Sequence, residues 1–208
     1  MYLTRQAAST KLPIPRKGTK YIARASSNLN NSVPAVIAIR DMLKLAKNAK
    51  EVKEMIKQKA LKINWRPIKD YRESIRIFNI FEADKSYKLI ILKTGKFSLE
   101  EIKNADNRLC KVIGKSLINS NKIQLNFHDG TNIITDKKEI RVGDSIYLDK
   151  NSKVKSHFKF EKGREVFIIL GRHKGQTGTI ESIEDKTLIK LKAGDLVALQ
   201  KDAVLIIK

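Results

Sequence analysis

The residues best suited to chemistry lie in one short stretch. Gly171-Arg172-His173-Lys174-Gly175-Gln176-Thr177-Gly178 sets Arg172, His173 and Lys174 among glycines. Gly175 and Gly178 would allow positive φ and bring backbone close to a partner. The three side chains at the tip would then meet phosphates. A nucleotide-cradling loop needs Gly, four residues, then Gly-Lys-Ser/Thr at the start of a helix. This stretch has neither that spacing nor a following helix. A plain hairpin turn is the structural alternative, because glycine serves turns as readily as ligands.

Other reactive residues are poorly placed for catalysis. His128-Asp129 has the composition of a base and its orienting partner, but His-Asp-Gly reads first as a hairpin turn. No Ser or Cys sits in a nucleophile elbow. Cys110, in Arg108-Leu109-Cys110-Lys111-Val112, has cations nearby that would lower a thiol pKa. An apolar-flanked cysteine is more often a small core residue. His128, His157, His173 and Cys110 show no paired short spacing for a metal. No catalytic residue, metal, cofactor or small-molecule substrate is expected.

The composition points to a polyanion. Lys and Arg number 43 against 22 Asp and Glu, a formal charge of +21 with pI near 10.0. Such an excess opposes compaction through self-repulsion. Cations placed on phosphates release condensed counterions and relieve it. Hydrophobic residues at 41% still permit a core. Aromatics at 6% disfavour binding by base stacking and favour the backbone and shape of folded RNA. No apolar run reaches the ~18 residues of a spanning helix, so a membrane is the weakest partner. A single cysteine excludes an intrachain disulfide and suits a reducing, cytoplasmic setting. No secretory signal is visible at the start of the chain; its basic, acid-free composition also describes a mitochondrial transit peptide, although Pro13, Pro15 and Gly18 break up an amphipathic helix there.

The elements that must carry these charges follow in order. Residues 1–31 read as an extended basic arm. Arg5, Lys11, Arg16, Lys17, Lys20 and Arg24 lie in it, no acid precedes Asp41, and Pro13, Pro15 and Gly18 interrupt helix. Residues 32–59 read as two helices, the first capped by Ser32 with Pro34 in its first turn. Val36, Ile39, Leu43 and Ala46 would form its buried stripe, with Arg40, Lys44 and Lys47 on a neighbouring face. The second, Lys50 to Lys59, would bury Val52, Met55 and Ile56 and expose Lys53 and Lys57. Residues 60–69 alternate, with Leu61, Ile63 and Trp65 opposite Lys62, Asn64 and Arg66, as in a basic hairpin.

Residues 75–150 read mostly as strands, among them Tyr87 to Leu92, Lys122 to Phe127 and Ser145 to Leu148. Ser98 to Asn104 has capping-box spacing and reads as a turn or two of helix. Residues 156–208 supply short strands with tight turns, the pattern of a small barrel.

These segments resemble one family over nearly the whole chain, the archaeal and eukaryotic-type small-subunit ribosomal protein four. Leu3-Thr4-Arg5-Gln6-Ala7-Ala8 is similar to its N-terminal signature, and Val36 to Ala46 with Glu51-Val52 to its RNA-binding helices. Thr94-Gly95-Lys96-Phe97, Leu109 to Val112 and Gln124 to Asn132 resemble its central domain, and the glycine loop resembles its KOW motif. Ser9, Leu12, Trp65 and Arg72-Glu73-Ser74 depart from its pattern; Trp65 stands where glycine is usual in the hairpin.

The resemblance implies a multidomain α+β fold. Its parts would be a basic N-terminal arm (1–31), a helix-helix-hairpin RNA-binding domain of the S-four type (32–74), a central β-rich domain (75–155) and a C-terminal SH3-like KOW β-barrel (156–208). It implies a structural ribosomal role, with small-subunit ribosomal RNA and neighbouring ribosomal proteins as partners. Arg40, Lys44, Lys53, Lys57 and the loop from Arg172 to Gly178 would face RNA. An RNA-modifying enzyme and a KOW-bearing transcription factor are the competing readings. The first lacks an acid or nucleophile in a recognisable setting; the S-four-type unit argues against the second.

Overall fold

A computed structural model describes residues 2–103, 105–118 and 122–207. The chain is β-rich, with nineteen strands among these residues and few helical turns. It clusters into two compact units, Met1–Ala105 and Asp106–Lys208.

In the first unit, β1 (Leu3–Thr4) pairs antiparallel with β2 (Tyr21–Ile22). The expected extended arm is therefore a folded hairpin. Leu12 and Ala25 are buried, and the Lys11 carbonyl accepts from the Phe97 N–H at 2.8 Å. Arg5 closes the intervening loop. Its guanidinium donates to the Thr19 and Pro15 carbonyls and the Thr19 hydroxyl at 2.6–2.9 Å. Side chain to main chain bonds thus replace the missing apolar core.

The expected first helix is largely absent. Ser32 is in β3 (Ser32–Pro34), which pairs with β6 (Ser74–Arg76), and caps nothing. Its hydroxyl instead lies 2.9 Å from the Ser27 and Asn28 carbonyls. The helical path runs only through α1 (Ala35–Ile37) and a π-helical turn, Ala38–Met42. Lys44, at φ +58°, ends it. Residues 32–39 are all buried, so this segment is hydrophobic all round rather than amphipathic. That removes the expected shared face, because Lys44 and Lys47 follow the last helical residue.

The second helix holds as α2 (Ala49–Lys57). Asn48 caps it through Oδ1, which accepts from the N–H groups of Lys50 and Glu51 at 2.9 and 3.0 Å. The Glu51 carboxylate accepts from the Lys47 N–H at 2.7 Å and closes the turn from the other side.

β4 (Lys62–Ile63) and β5 (Arg66–Pro67) form a hairpin with a two-residue turn. Asn64 and Trp65 take φ of +49° and +65°, the signature of the mirror-image turn that matches strand twist. Trp65 is therefore in the turn rather than on the strand face. Its indole N–H donates to the Ala105 carbonyl at 3.0 Å. The positive φ also accounts for the glycine usual at this position.

β4 pairs onward with β7 (Ile80–Glu82), β8 (Ser86–Ile91) and β9 (Phe97–Glu101), giving the order β5-β4-β7-β8-β9. The hairpin and the strands after residue 75 thus share one sheet. β9 replaces the helical turns expected from Ser98; its backbone pairs with β8, and that pairing overrides the local capping spacing. Asn104 lies outside the described residues.

The second unit has two five-stranded antiparallel sheets. One runs β12-β11-β10-β13-β14, from Asn107–Leu117 (β10), Ile123–Phe127 (β11), Asn132–Thr135 (β12), Ser145–Asp149 (β13) and Val154–Phe158 (β14). Its core holds Val112, Leu125, Phe127, Ile146 and Leu148. The other runs β18-β17-β16-β15-β19, from Glu165–Ile168 (β15), Thr177–Ile183 (β16), Thr187–Leu191 (β17), Leu196–Leu199 (β18) and Val204–Ile206 (β19). Val166, Ile180, Ile189 and Val204 are in its core. Buried Ser145 joins the two sheets by accepting from the Ile206 N–H at 3.1 Å.

Candidate nucleic-acid interface

The candidate cations fall into groups that the fold treats differently. In the N-terminal hairpin, Arg16, Lys17 and Lys20 are exposed and Arg24 is half-buried. Arg24 lines a cavity of about 220 Å³ with Ala25, Ser26, Asp70 and Arg72. Arg5 organises the loop, as described, and the Lys11 ammonium bonds the Asn31 side chain. Both therefore help position the other four.

On the helical segment, Arg40 forms an ion pair with Asp41 at 2.7 Å, which raises its pKa. Lys44 and Lys47 are exposed on the connection to α2. Lys53 and Lys57 lie one turn apart on α2, both exposed. Lys53 sits 4.8 Å from the centre of the Tyr71 ring, and Arg72 sits 5.3 Å from the same ring. Lys57 pairs with Glu54 at 3.4 Å on the open surface. On the β4–β5 hairpin, Lys62 pairs with Glu82 at 3.7 Å and Arg66 with Glu73 at 3.0 Å. The Lys57–Glu54 pair is exposed on both sides and weak, whereas Glu82 and Glu73 are half-buried.

The glycine loop is a tight connection from β15 to β16. The Gly175 N–H donates to the Ile168 carbonyl at 2.8 Å, and Gly175 has φ +80° as expected. Arg172 is exposed at the tip, with His173 and Lys174 half-buried. Gly178 departs from expectation. It is buried inside β16, without positive φ, and a Cβ there would lie 2.5 Å from the Lys190 carbonyl oxygen. It serves the close approach of β17 rather than of a partner.

Charges that sequence reasoning left aside form a buried network in the second unit. Arg108 pairs with Asp129, and both side chains are almost wholly buried. Asp129 also accepts from the Thr131 N–H and hydroxyl at 2.9 and 2.6 Å. The His128 Nδ1 accepts from the Lys111 N–H at 3.1 Å. Asp129 thus locks its own turn and is engaged by Arg108 and Thr131. The Cys110 thiol pKa is pushed up, first by burial and then by the Asp129 charge. It is therefore a core thiol rather than a nucleophile.

Two further buried charges tie elements together. Asp144 accepts from the Arg141 and Phe160 N–H groups at 2.9 Å and meets the His157 Nε2 at 2.7 Å. The Lys111 ammonium donates to the Lys201 carbonyl at 2.7 Å. Burial pushes its pKa down to about 8, against the raising effect of Asp202. Alternation gave no sign of these roles, since a cation inside an apolar strand reads as an outward-facing residue. Among the described residues no group of three His, Cys, Asp or Glu could hold a metal ion.

The architecture defines a class: a basic, β-rich protein of several sheets ending in a glycine-loop domain. Comparison with known proteins supplies the family. The pattern of the ribosomal S4e family matches residues 83–154, and the KOW motif matches residues 162–197. Small ribosomal subunit protein eS4 of Methanocella arvoryzae is 30% identical over 190 residues, covering 88% of this chain and 81% of that protein. Its counterpart in Archaeoglobus fulgidus is 31% identical over 206 residues, covering 96% and 86%. The crystal structure of the 30S ribosomal protein S4e from Thermoplasma acidophilum superposes with a TM-score of 0.74 at 30% identity, covering 86% of this chain and 95% of that one. The chain belongs to the ribosomal S4e family. That family consists of ribosomal structural proteins, not enzymes.

Proposed function

We propose that this chain is a structural constituent of the small ribosomal subunit that holds ribosomal RNA by charge. One observation carries the reading: in a family member of net charge +21, the cations most outnumber the acids on residues 1–105, 23 against 9, and no acid precedes Asp41. Arg16, Lys17, Lys20 and Arg24 would neutralise phosphates beside the N-terminal hairpin, with Lys44, Lys47, Lys53 and Lys57 beside the helical segment. Arg172, His173 and Lys174 would add a separate contact at the glycine loop. Lys62 and Arg66 would exchange their carboxylate partners for phosphates. Neighbouring small-subunit proteins complete the surroundings, and the chain works on the ribosome in the cytoplasm.

The finer organisation supports this reading. Residues 35–67 supply the helix-helix-hairpin order of an S-four-type RNA-binding unit, here with a shortened first helix. The five strands from Glu165 to Ile206 are read as the SH3-like barrel, with the KOW loop between its first two strands. A tagged chain is expected to sediment with the small subunit at low salt and to leave it as salt rises. Recovery wholly in the ribosome-free fraction at low salt would contradict the proposal.

A further inference from the structure

Thirteen aromatic side chains occur in the chain, and eleven of them are buried or half-buried. The two exposed ones, Tyr2 and Tyr21, are neighbours. Their ring centres are 5.5 Å apart with planes at 43°. Thr4 sits directly opposite Tyr21 across the β1–β2 pair, so strand alternation puts Tyr2 and Tyr21 on the same face of the hairpin. Tyr2 is 84% exposed and Tyr21 49% exposed, so each ring keeps open surface despite the contact. The Lys20 ammonium lies 5.5 Å from the Tyr21 ring centre.

We propose that Tyr2 and Tyr21 form a stacking site for one unpaired RNA base, with Lys20 and its neighbours holding the adjoining phosphates. This deepens the RNA-binding reading above and rests on it. Every nucleobase has a π-face, and stacking on tyrosine is tolerant of sequence. Folded RNA offers such bases at bulges and loops, where they splay out of the helix. Charge selects a nucleic acid over an apolar protein segment as occupant. The hairpin carries Arg5, Lys11, Arg16, Lys17, Lys20 and Arg24 and no acid.

A cross-strand aromatic pair also steadies a hairpin by itself. That role alone favours burial of the rings against each other, whereas Tyr2 is the most open large apolar side chain of the described residues. The hairpin is also held independently, through the three Arg5 bonds to Pro15 and Thr19. A paired, cation-flanked platform of this kind lets a base dock at lower ordering cost.

The full-length chain tests this against two RNA stems, one fully paired and one carrying a single unpaired 2-aminopurine. Wild type is expected to quench the 2-aminopurine and to bind the bulged stem about 5- to 100-fold more tightly. Y2A/Y21A should abolish that preference and leave affinity for the paired stem unchanged. Y2F/Y21F should retain it, because the ring and not the hydroxyl stacks. Equal affinity of wild type for both stems overturns the stacking site while leaving RNA binding intact. Equal weakening of both stems by Y2A/Y21A also overturns it, since the rings would then serve only the hairpin. Failure of wild type to bind either stem defeats the RNA-binding reading itself. Capture of a protein segment by the tyrosine face in place of RNA likewise counts against the proposal.

Discussion

The two units use charge in different ways. Residues 1–105 carry 23 Lys and Arg against 9 Asp and Glu, a net +14, while residues 106–208 carry 20 against 13, a net +7. In the first unit the cations lie at the surface, exposed or in solvent-facing pairs such as Lys57–Glu54 and Arg66–Glu73. The second exposes nearly as many cations, but there Arg108, Asp129, Lys111 and Asp144 are buried and bonded to turns and strands. Like residue types therefore do opposite work. Surface cations repel one another until a polyanion arrives, whereas buried charges must be partnered within the chain itself. On the proposed reading, the difference separates what binds from what holds the binder in shape.

Breaking the buried side of the comparison should give the largest effect. Asp129→Ala strands the Arg108 guanidinium and frees the Thr131 turn, and is expected to cost about 3–5 kcal/mol in urea denaturation. Gly178→Ala comes next. Its Cβ would collide with the Lys190 carbonyl, and overpacking against backbone should cost about 2–3 kcal/mol, read the same way.

Lys111 gives a smaller, pH-dependent effect. Its folded pKa of about 8 lies below the ordinary 10.5, so between these values the unfolded chain binds more protons. Folding stability from this group is lowest below pH 8 and rises towards pH 10.5. Wild type should therefore gain on Lys111→Met by roughly 2–3 kcal/mol across that window. Referring each pH to the variant cancels the tyrosine and cysteine titrations, which run the other way. A difference between the two proteins that stays flat from pH 8 to 10.5 would remove the buried ammonium from the account.

The exposed side should barely register in stability. R16Q/K17Q/K20Q is expected to shift unfolding by no more than about 0.5 kcal/mol per residue. A larger loss would mean that these cations hold the hairpin together and do not merely stand on it.

The same division governed what the sequence disclosed. Half-buried strands alternate with period two, so β8, β11 and β13 were legible within a residue or two at each end. The turns at Gly130 and Gly143 were legible because their φ of +81° and +98° favours glycine. The first helix was not, because residues 32–39 are buried on every side and periodicity has no polar face to report. Ser98 and Glu101 carried a local capping signal that the ladder to β8 overrode. The N-terminal hairpin was hidden for another reason: Arg5 closes it through main-chain carbonyls, which carry no side-chain signature. Among the binding candidates, the surface cations were visible from composition. The anchoring roles of Arg108, Lys111 and Asp144 depend on contacts distant in sequence and were not.

The salt dependence of binding to small-subunit ribosomal RNA tests the division most directly. The slope of log affinity against log salt reports phosphate contacts, at ~0.7–0.9 per contact. R16Q/K17Q/K20Q should reduce that slope by about 2–3. K153Q/K155Q/K162Q removes as many exposed cations from the second unit, away from the glycine loop, and should change it by less than about 1. Equal reductions from the two sets, or a slope untouched by the first, would contradict an RNA contact concentrated on residues 2–105.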